Sequence, residues 1–166
     1  MPLINEVMEN YTAFLQELEN QENELQFTEF TNETALAIGL YLIDKAKKEN
    51  KNITIDVMRG NHQIFHYSFD GTTEENDQWV IRKNRVANKF HKSSLYIEYK
   101  LKSENTTLEQ THGLPFAEYA PCGGSFPIIV KGEGMIGTLT VSGLTGEEDH
   151  EMAVAGIRAN LKNSLN

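Results

Sequence analysis

Apolar residues recur along this chain at two spacings, and the switches between them lay out its elements. Over residues 2–22, Ile4, Met8, Tyr11, Leu15 and Leu18 fall near one face of a helix, with Glu and Asn around them. Residues 25–30 alternate roughly through Leu25 and Phe27, as in a short strand. Thr31 then suits the N-cap of a helix over about 32–49. Leu36, Leu40 and Ile43 form one stripe of that helix, and Ala35, Ile38, Leu42 and Ala46 widen it. So broad a stripe predicts a helix lying flat on a sheet.

Strand spacing follows. Ile53, Ile55 and Val57 alternate with Thr54, Asp56 and Met58, residues 59–61 turn, and 63–69 form the second arm of a hairpin. His62 and His66 share one face of that arm. Thr72 and Glu75 match a capping box for a helix running to about Lys92. Between 94 and 105, Leu95, Ile97, Tyr99 and Leu101 alternate as in a strand, while Ser94 would also cap a helix. Periodicity alone favours the strand. Residues 105–122, with Gly113, Pro115 and Pro121, read as a long loop holding a short helical turn. Two apolar β-branched runs around the Gly-rich turn 131–134 form a hairpin, and Thr145 with Glu148 opens a last helix over about 145–163. No repeat, low-complexity run or linker interrupts the pattern, so residues 1–166 read as one α+β domain with an extra N-terminal helix at about 2–22.

Composition narrows the function classes. A chain of 166 residues buries enough surface to fold without disulfides or metals. The net charge of −9 disfavours bulk nucleic-acid binding, although Arg82, Lys83, Arg85, Lys89 and Lys92 gather on one segment. No stretch has the apolar length of a membrane span, and the acidic N-terminus argues against a signal or transit peptide. The single Cys122 excludes an intrachain disulfide and fits a reducing, cytoplasmic setting.

Three places carry candidate chemistry. Lys83 lies on one helical face with Trp79, Val86 and Phe90. A lysine in an apolar stripe is costly unless it snorkels to water, anchors an anionic ligand group or meets a carboxylate. Gly123 and Gly124 precede Ser125 and Phe126 at the open end of the hairpin, where Ser142 also falls. Paired glycines leave backbone amides free of side chains, as a ligand loop needs and as a tight turn also needs. The last helix starts Thr145-Gly146-Glu147-Glu148-Asp149-His150. Capping and the helix dipole account for its acids, and His150 could donate to a carboxylate, bind a metal or pack as a neutral ring. None of the five histidines pairs at zinc-site spacing, so no metal site is expected. Cys122 beside the glycines lacks a recognisable histidine partner for catalysis.

Several of these segments together resemble the heme-degrading-domain (GlcG/HbpS-like) family, closest to its UPF0303-type subfamily. The similar segments are Arg82-Lys83 through Phe90, Ser93 and Ser94, then Gly123-Gly124-Ser125-Phe126-Pro127-Ile128, then Gly137 through Gly143, then Asp149 followed by Ala155-Gly156. The resemblance spans about residues 30–163. It implies a profilin-like three-layer α/β/α domain with a five-stranded antiparallel sheet, and it favours a helix over 94–105. It also implies heme as a candidate ligand. A heme iron needs one axial histidine, and His91 and His150 are the first to consider.

The expected function is that of a cytoplasmic, homo-oligomeric binder of a small anionic, apolar ligand. Lys83 and the Gly123 and Gly124 amides would hold its acid group, Trp79, Phe90 and Phe126 would wall it, and Ser142, Asp149 and His150 would complete the site. One alternative is a non-enzymatic adaptor whose partner docks on the N-terminal helix. The other is an enzyme using Lys83, Asp149 and His150 for acid–base work, which requires the three to converge.

Overall fold

The computed structural model describes residues 2–161. In chain order the elements are α1 (Pro2–Glu24), α2 (Asn32–Lys48), β1 (Thr54–Arg59), β2 (His62–Ser68), α3 (Glu74–Phe90), α4 (Ser94–Glu104), α5 (Leu108–His112), β3 (Ser125–Val130), β4 (Gly134–Ser142) and α6 (Gly146–Asn160). The strands form one antiparallel sheet in the order β2-β1-β4-β3.

The two faces of the sheet differ in chemistry because the strands alternate apolar and polar residues over most of their length. Ile55 and Val57 on β1 pair with Val141 and Leu139 on β4, and Leu139 pairs with Phe126 on β3. This apolar face is buried beneath α2 and α6 in a single core with Ile38, Leu42, Met152, Ala153 and Ile157. Thr54, Asp56, Thr138, Thr140, Ser142 and Ser125 point the other way, all buried, under α3. Hydrogen bonds satisfy most of this polar face. Asn84 of α3 donates to Asp56 Oδ2 at 3.4 Å, and its Oδ1 accepts from Ser125 Oγ at 3.2 Å and from Thr140 Oγ1. Asp56 Oδ1 also accepts from Gln63 Nε2 at 2.7 Å and pairs with His66 Nδ1 at 3.0 Å.

The sheet has four strands, not five. Residues 25–30 contribute only one parallel bridge, Phe27 to Val130. α1 continues to Glu24, and Leu25 N still donates to Gln21 O, so little chain remains before the next helix begins. Residues 94–104 are helical, capped by Ser93, whose hydroxyl accepts from Tyr96 N, and Asn105 ends the helix in a left-handed conformation. Their strand-like alternation reflects a helix covered on two sides: α4 packs against both α1 and α3, burying Leu95, Ile97 and Leu101.

Smaller differences have equally local causes. Thr31 caps α2 and Thr145 caps α6 as the sequence predicts. The capping box of α3 is Thr73 with Asn76, one residue later than the Thr72–Glu75 pairing. On α2 the buried stripe is Ala35, Ile38, Gly39, Leu42 and Ala46, whereas Leu36 and Leu40 are 42 % and 55 % exposed. Gly39 decides this orientation: a Cβ there would fall 2.4 Å from the Phe65 ring of β2, so only glycine lets the helix sit so low. Part of the apolar face of α1 is used within the chain. Tyr11 and Phe14 meet the Tyr99 ring edge-on at 6.0 and 4.6 Å, and Leu18 is fully buried.

Candidate functional site

α3 lies across the polar face of the sheet, and this placement brings Lys83 to the C-terminal end of β4. Its ammonium sits 3.0 Å from Asp149 Oδ2 and donates to Val141 O at 3.3 Å. Asp149, in the first turn of α6, accepts from the Leu144 amide at 3.0 Å through Oδ1 and from the Gly143 amide. Burial pushes the Asp149 carboxyl up, and Lys83 and the two amides pull against it. Of the readings open for Lys83, the carboxylate partner is the one observed.

The pair forms the floor of an open cleft of about 370 Å³ between α3 and the start of α6. Asn76 and Trp79 line it from α3, with Ser142, Leu144 and Cys122 around them. Asn76 Nδ2 donates to Ser142 Oγ at 3.3 Å. The Arg82 guanidinium stacks 4.5 Å over the Trp79 ring and 4.6 Å over that of Phe116, which is 52 % exposed. Arg82 also donates to Phe116 O, fixing this aromatic lip in place. Burial, then the nearby Glu98 charge, push the Cys122 thiol up, so the structure does not activate it as a nucleophile.

The glycine pair acts as a spacer more than as an anion cradle. A Cβ on Gly124, whose φ is 139°, would fall 2.4 Å from Val141 O and 2.8 Å from Lys83 Nζ. A Cβ on Gly123 would fall 2.3 Å from Gly146 O. The Gly123 amide already donates to Glu98 Oε1 at 3.0 Å. The two glycines thus let the β3 entry, Lys83 and α6 close on one another.

Trp79, Lys83, Gly123, Gly124, Ser142 and Asp149 therefore come together, and three other expected members do not join them. Phe90 ends α3 on the far side of Val86 and lines a different groove. Phe126 is fully buried in the main core. His150 packs its ring 5.6 Å from that of Phe126, and its Nε2 meets Gln21 Oε1 of α1 at 2.8 Å. Burial lowers its pKa to about 4 against a small opposing effect of Glu147. Asp149 and His150 are neighbours on a helix, so their side chains diverge. The triad of Lys83, Asp149 and His150 needed for acid–base work does not converge.

Asn76 and Leu144 were absent from the expected site. Asn76 was legible only as the true N3 residue of α3, once the cap shifts to Thr73.

The chain as a whole has known relatives. Residues 30–158 match the family described as "Haem degrading protein HbpS-like". The chain belongs to the HbpS-like family. A UPF0303 protein of Streptomyces coelicolor is 38 % identical over 141 residues, covering 85 % of this chain and 89 % of that protein. A UPF0303 protein of Paraburkholderia phymatum is 40 % identical over 147 residues, covering 89 % of each. The solved structure of Ybr137w protein is similar with a TM-score of 0.84 and 32 % identity, over 92 % of this chain and 90 % of that one. The PduOC:heme complex shares the fold alone, with a TM-score of 0.67 at 12 % identity over 78 % of this chain and 94 % of that one.

Proposed function

We propose that this HbpS-like protein is an oligomeric, cytoplasmic binder of a small amphipathic ligand, seated in the cleft between α3 and α6. The observation that carries the reading is the buried Lys83–Asp149 pair at the floor of an open cleft. A fully desolvated ion pair is weak evidence for stability, since an apolar pair of similar volume often does as well. Here it lies beneath Trp79, with Asn76 and Ser142 at hand as hydrogen-bonding groups. A few convergent polar groups beside an aromatic wall are the usual make-up of a small-molecule site.

Heme is the candidate that family membership and the heme-complex neighbour bring. The residues lining the cleft include no histidine, and Lys83 is already committed to Asp149. They offer hydrogen-bonding groups and an apolar edge but do not supply an imidazole for iron. Hemin is therefore expected to bind at micromolar affinity or weaker.

Two features support the oligomer. Leu36, Leu40 and Tyr41 leave an apolar strip of α2 exposed, and Tyr67 of β2 is 40 % exposed. No helix among the described residues is long and apolar enough to cross a membrane.

Native mass spectrometry of freshly purified protein, followed by hemin titration of the wild type and Trp79→Ala, tests the proposal. An oligomer mass with a retained ligand, or a Soret shift weakened in the variant, is the expected result. A bare monomer whose Soret shift is absent, or indifferent to Trp79, overturns it.

A further inference from the structure

Two apolar stripes run along α2, and the body of the protein covers only one of them. Ala35, Ile38, Gly39, Leu42 and Ala46 are buried, whereas Leu36 and Leu40 are exposed and Ile43 is half-buried. Ile38 and Leu42 lie against Gly156 of α6, and Gly39 lies against Phe65 of β2. With about 100° between successive residues, Leu36, Leu40 and Ile43 therefore flank α2 on the side away from α6, overhanging β2. Tyr67, which shares the α2 face of β2 with Phe65, is also exposed on that side.

A charge closes this second stripe at each end. Glu33, Leu36, Leu40, Ile43 and Lys47 follow one another at spacings of three and four, which keeps all five on one flank. Glu33 lies seven residues before Leu40 and Lys47 seven after it. Both are exposed, and among the described residues neither has an ion-pair partner. The other charges of α2 are engaged, Lys45 with Glu49 at 3.3 Å and Lys48 with Asp44 at 2.8 Å.

Resting on the oligomer proposed above, we infer that this flank docks on the same flank of a second copy of the chain, turned about a two-fold axis at Leu40 so that the two α2 helices run antiparallel. A two-fold axis sets residues equidistant from it opposite each other. Glu33 meets Lys47 of the second copy, and Lys47 meets Glu33 of the second copy. Between these two pairs, Leu36, Leu40 and Ile43 of both chains take one another out of water. The antiparallel helix dipoles add to the attraction. A parallel pairing would set Glu33 against Glu33 and Lys47 against Lys47, which repel. The stripe is thus complementary to itself, and in one direction only.

The test is the oligomer mass, from light scattering after size exclusion, of the full-length wild type, Glu33→Lys, Lys47→Glu and the double variant. Both positions are exposed, so the fold stays intact. By symmetry each single reversal puts two like-charge contacts into the pair. It should weaken association about tenfold or more and drop the mass to half or less at a concentration that assembles the wild type. The double variant restores both ion pairs and should regain the wild-type mass. Mixing the two single variants should do the same, because each then meets its complement. A wild-type oligomer whose mass no variant changes would overturn this contact and leave oligomerisation itself standing. Single variants that lose mass and fail to regain it on mixing would overturn the charge pairing. A monomeric wild type would overturn both the contact and the oligomer.

Discussion

The Lys83 ammonium and the Asp149 carboxylate meet at 3.0 Å with side chains only 4 % and 2 % exposed. Removing one partner strands the other charge in a dry site. Lys83→Ala should therefore cost about 3–5 kcal/mol of stability. The double variant Lys83→Met, Asp149→Leu should recover most of that loss. Urea unfolding of the three proteins decides the matter. A single variant as stable as wild type, with weakened ligand binding, would return Lys83 to the role of a free ligand anchor.

Two buried groups at the seat of α1 should tilt stability in opposite directions with pH. His150 has its pKa lowered to about 4, mainly by burial, so an unfolded chain takes up the proton first as pH falls from 6.5. Its contribution is complete above pH 6.5 and is lost on acidification towards 4. Glu22 is 4 % exposed and accepts from Ser93 N at 2.9 Å. Burial raises its pKa to about 7 against the pull of Lys92. Its contribution is complete below pH 4.5 and is lost as pH rises to 7. Each is worth on the order of 3 kcal/mol across its window. Melting temperatures between pH 4 and 8 should show Glu22→Gln gaining on wild type above pH 7 and His150→Gln gaining below pH 5. Parallel curves for all three proteins would exclude this linkage.

Gly124→Ala should be far more damaging than Gly113→Ala. Both residues have positive φ, at 139° and 66°. A methyl at Gly113 meets nothing within 4 Å, whereas one at Gly124 collides with backbone and with Lys83. The Gly113 variant should lose only about 1–2 kcal/mol for its left-handed backbone. Thermal melts should leave it folded well above the temperature at which the Gly124 variant unfolds.

Leu36→Ser with Leu40→Ser should convert the proposed oligomer to a monomer of 18.8 kDa without unfolding it. Both leucines are exposed in the single chain, so their loss costs the fold little. Light scattering after size exclusion gives the mass directly. An unchanged oligomer mass would move the interface elsewhere.

The fold was legible where period and capping agreed. Alternation through Ile53, Ile55 and Val57 placed β1, and Thr31 and Thr145 marked two helix starts. It failed at α4, where coverage from both sides spread apolar residues around the helix and mimicked a strand. On α2 the stripe through Leu36 and Leu40 looked like the buried one, because nothing local announces that Phe65 seats itself on Gly39. In the site, helical spacing put Lys83 beside Trp79 correctly but also tied Phe90 to them. Two turns separate Lys83 from Phe90, enough to carry the ring into another groove. The direction of His150 depends on α1, a contact across 129 positions that no local pattern encodes.

The lone Phe27–Val130 bridge has a consequence for how the sheet can grow. Phe27 takes up Ile129 O and Lys131 N along the outer side of β3, and Pro127 has no N–H to offer there. That border is blunt. At the opposite border β2 leaves its outer backbone groups without a neighbouring strand among the described residues. A sheet with two receptive borders can add chains without end. One with a single receptive border can be extended only by a copy turned about a two-fold axis, and the product stops at two chains. A stub of six residues before α2 thus acts as a terminator, setting a limit on strand addition that the ordered sheet itself does not carry.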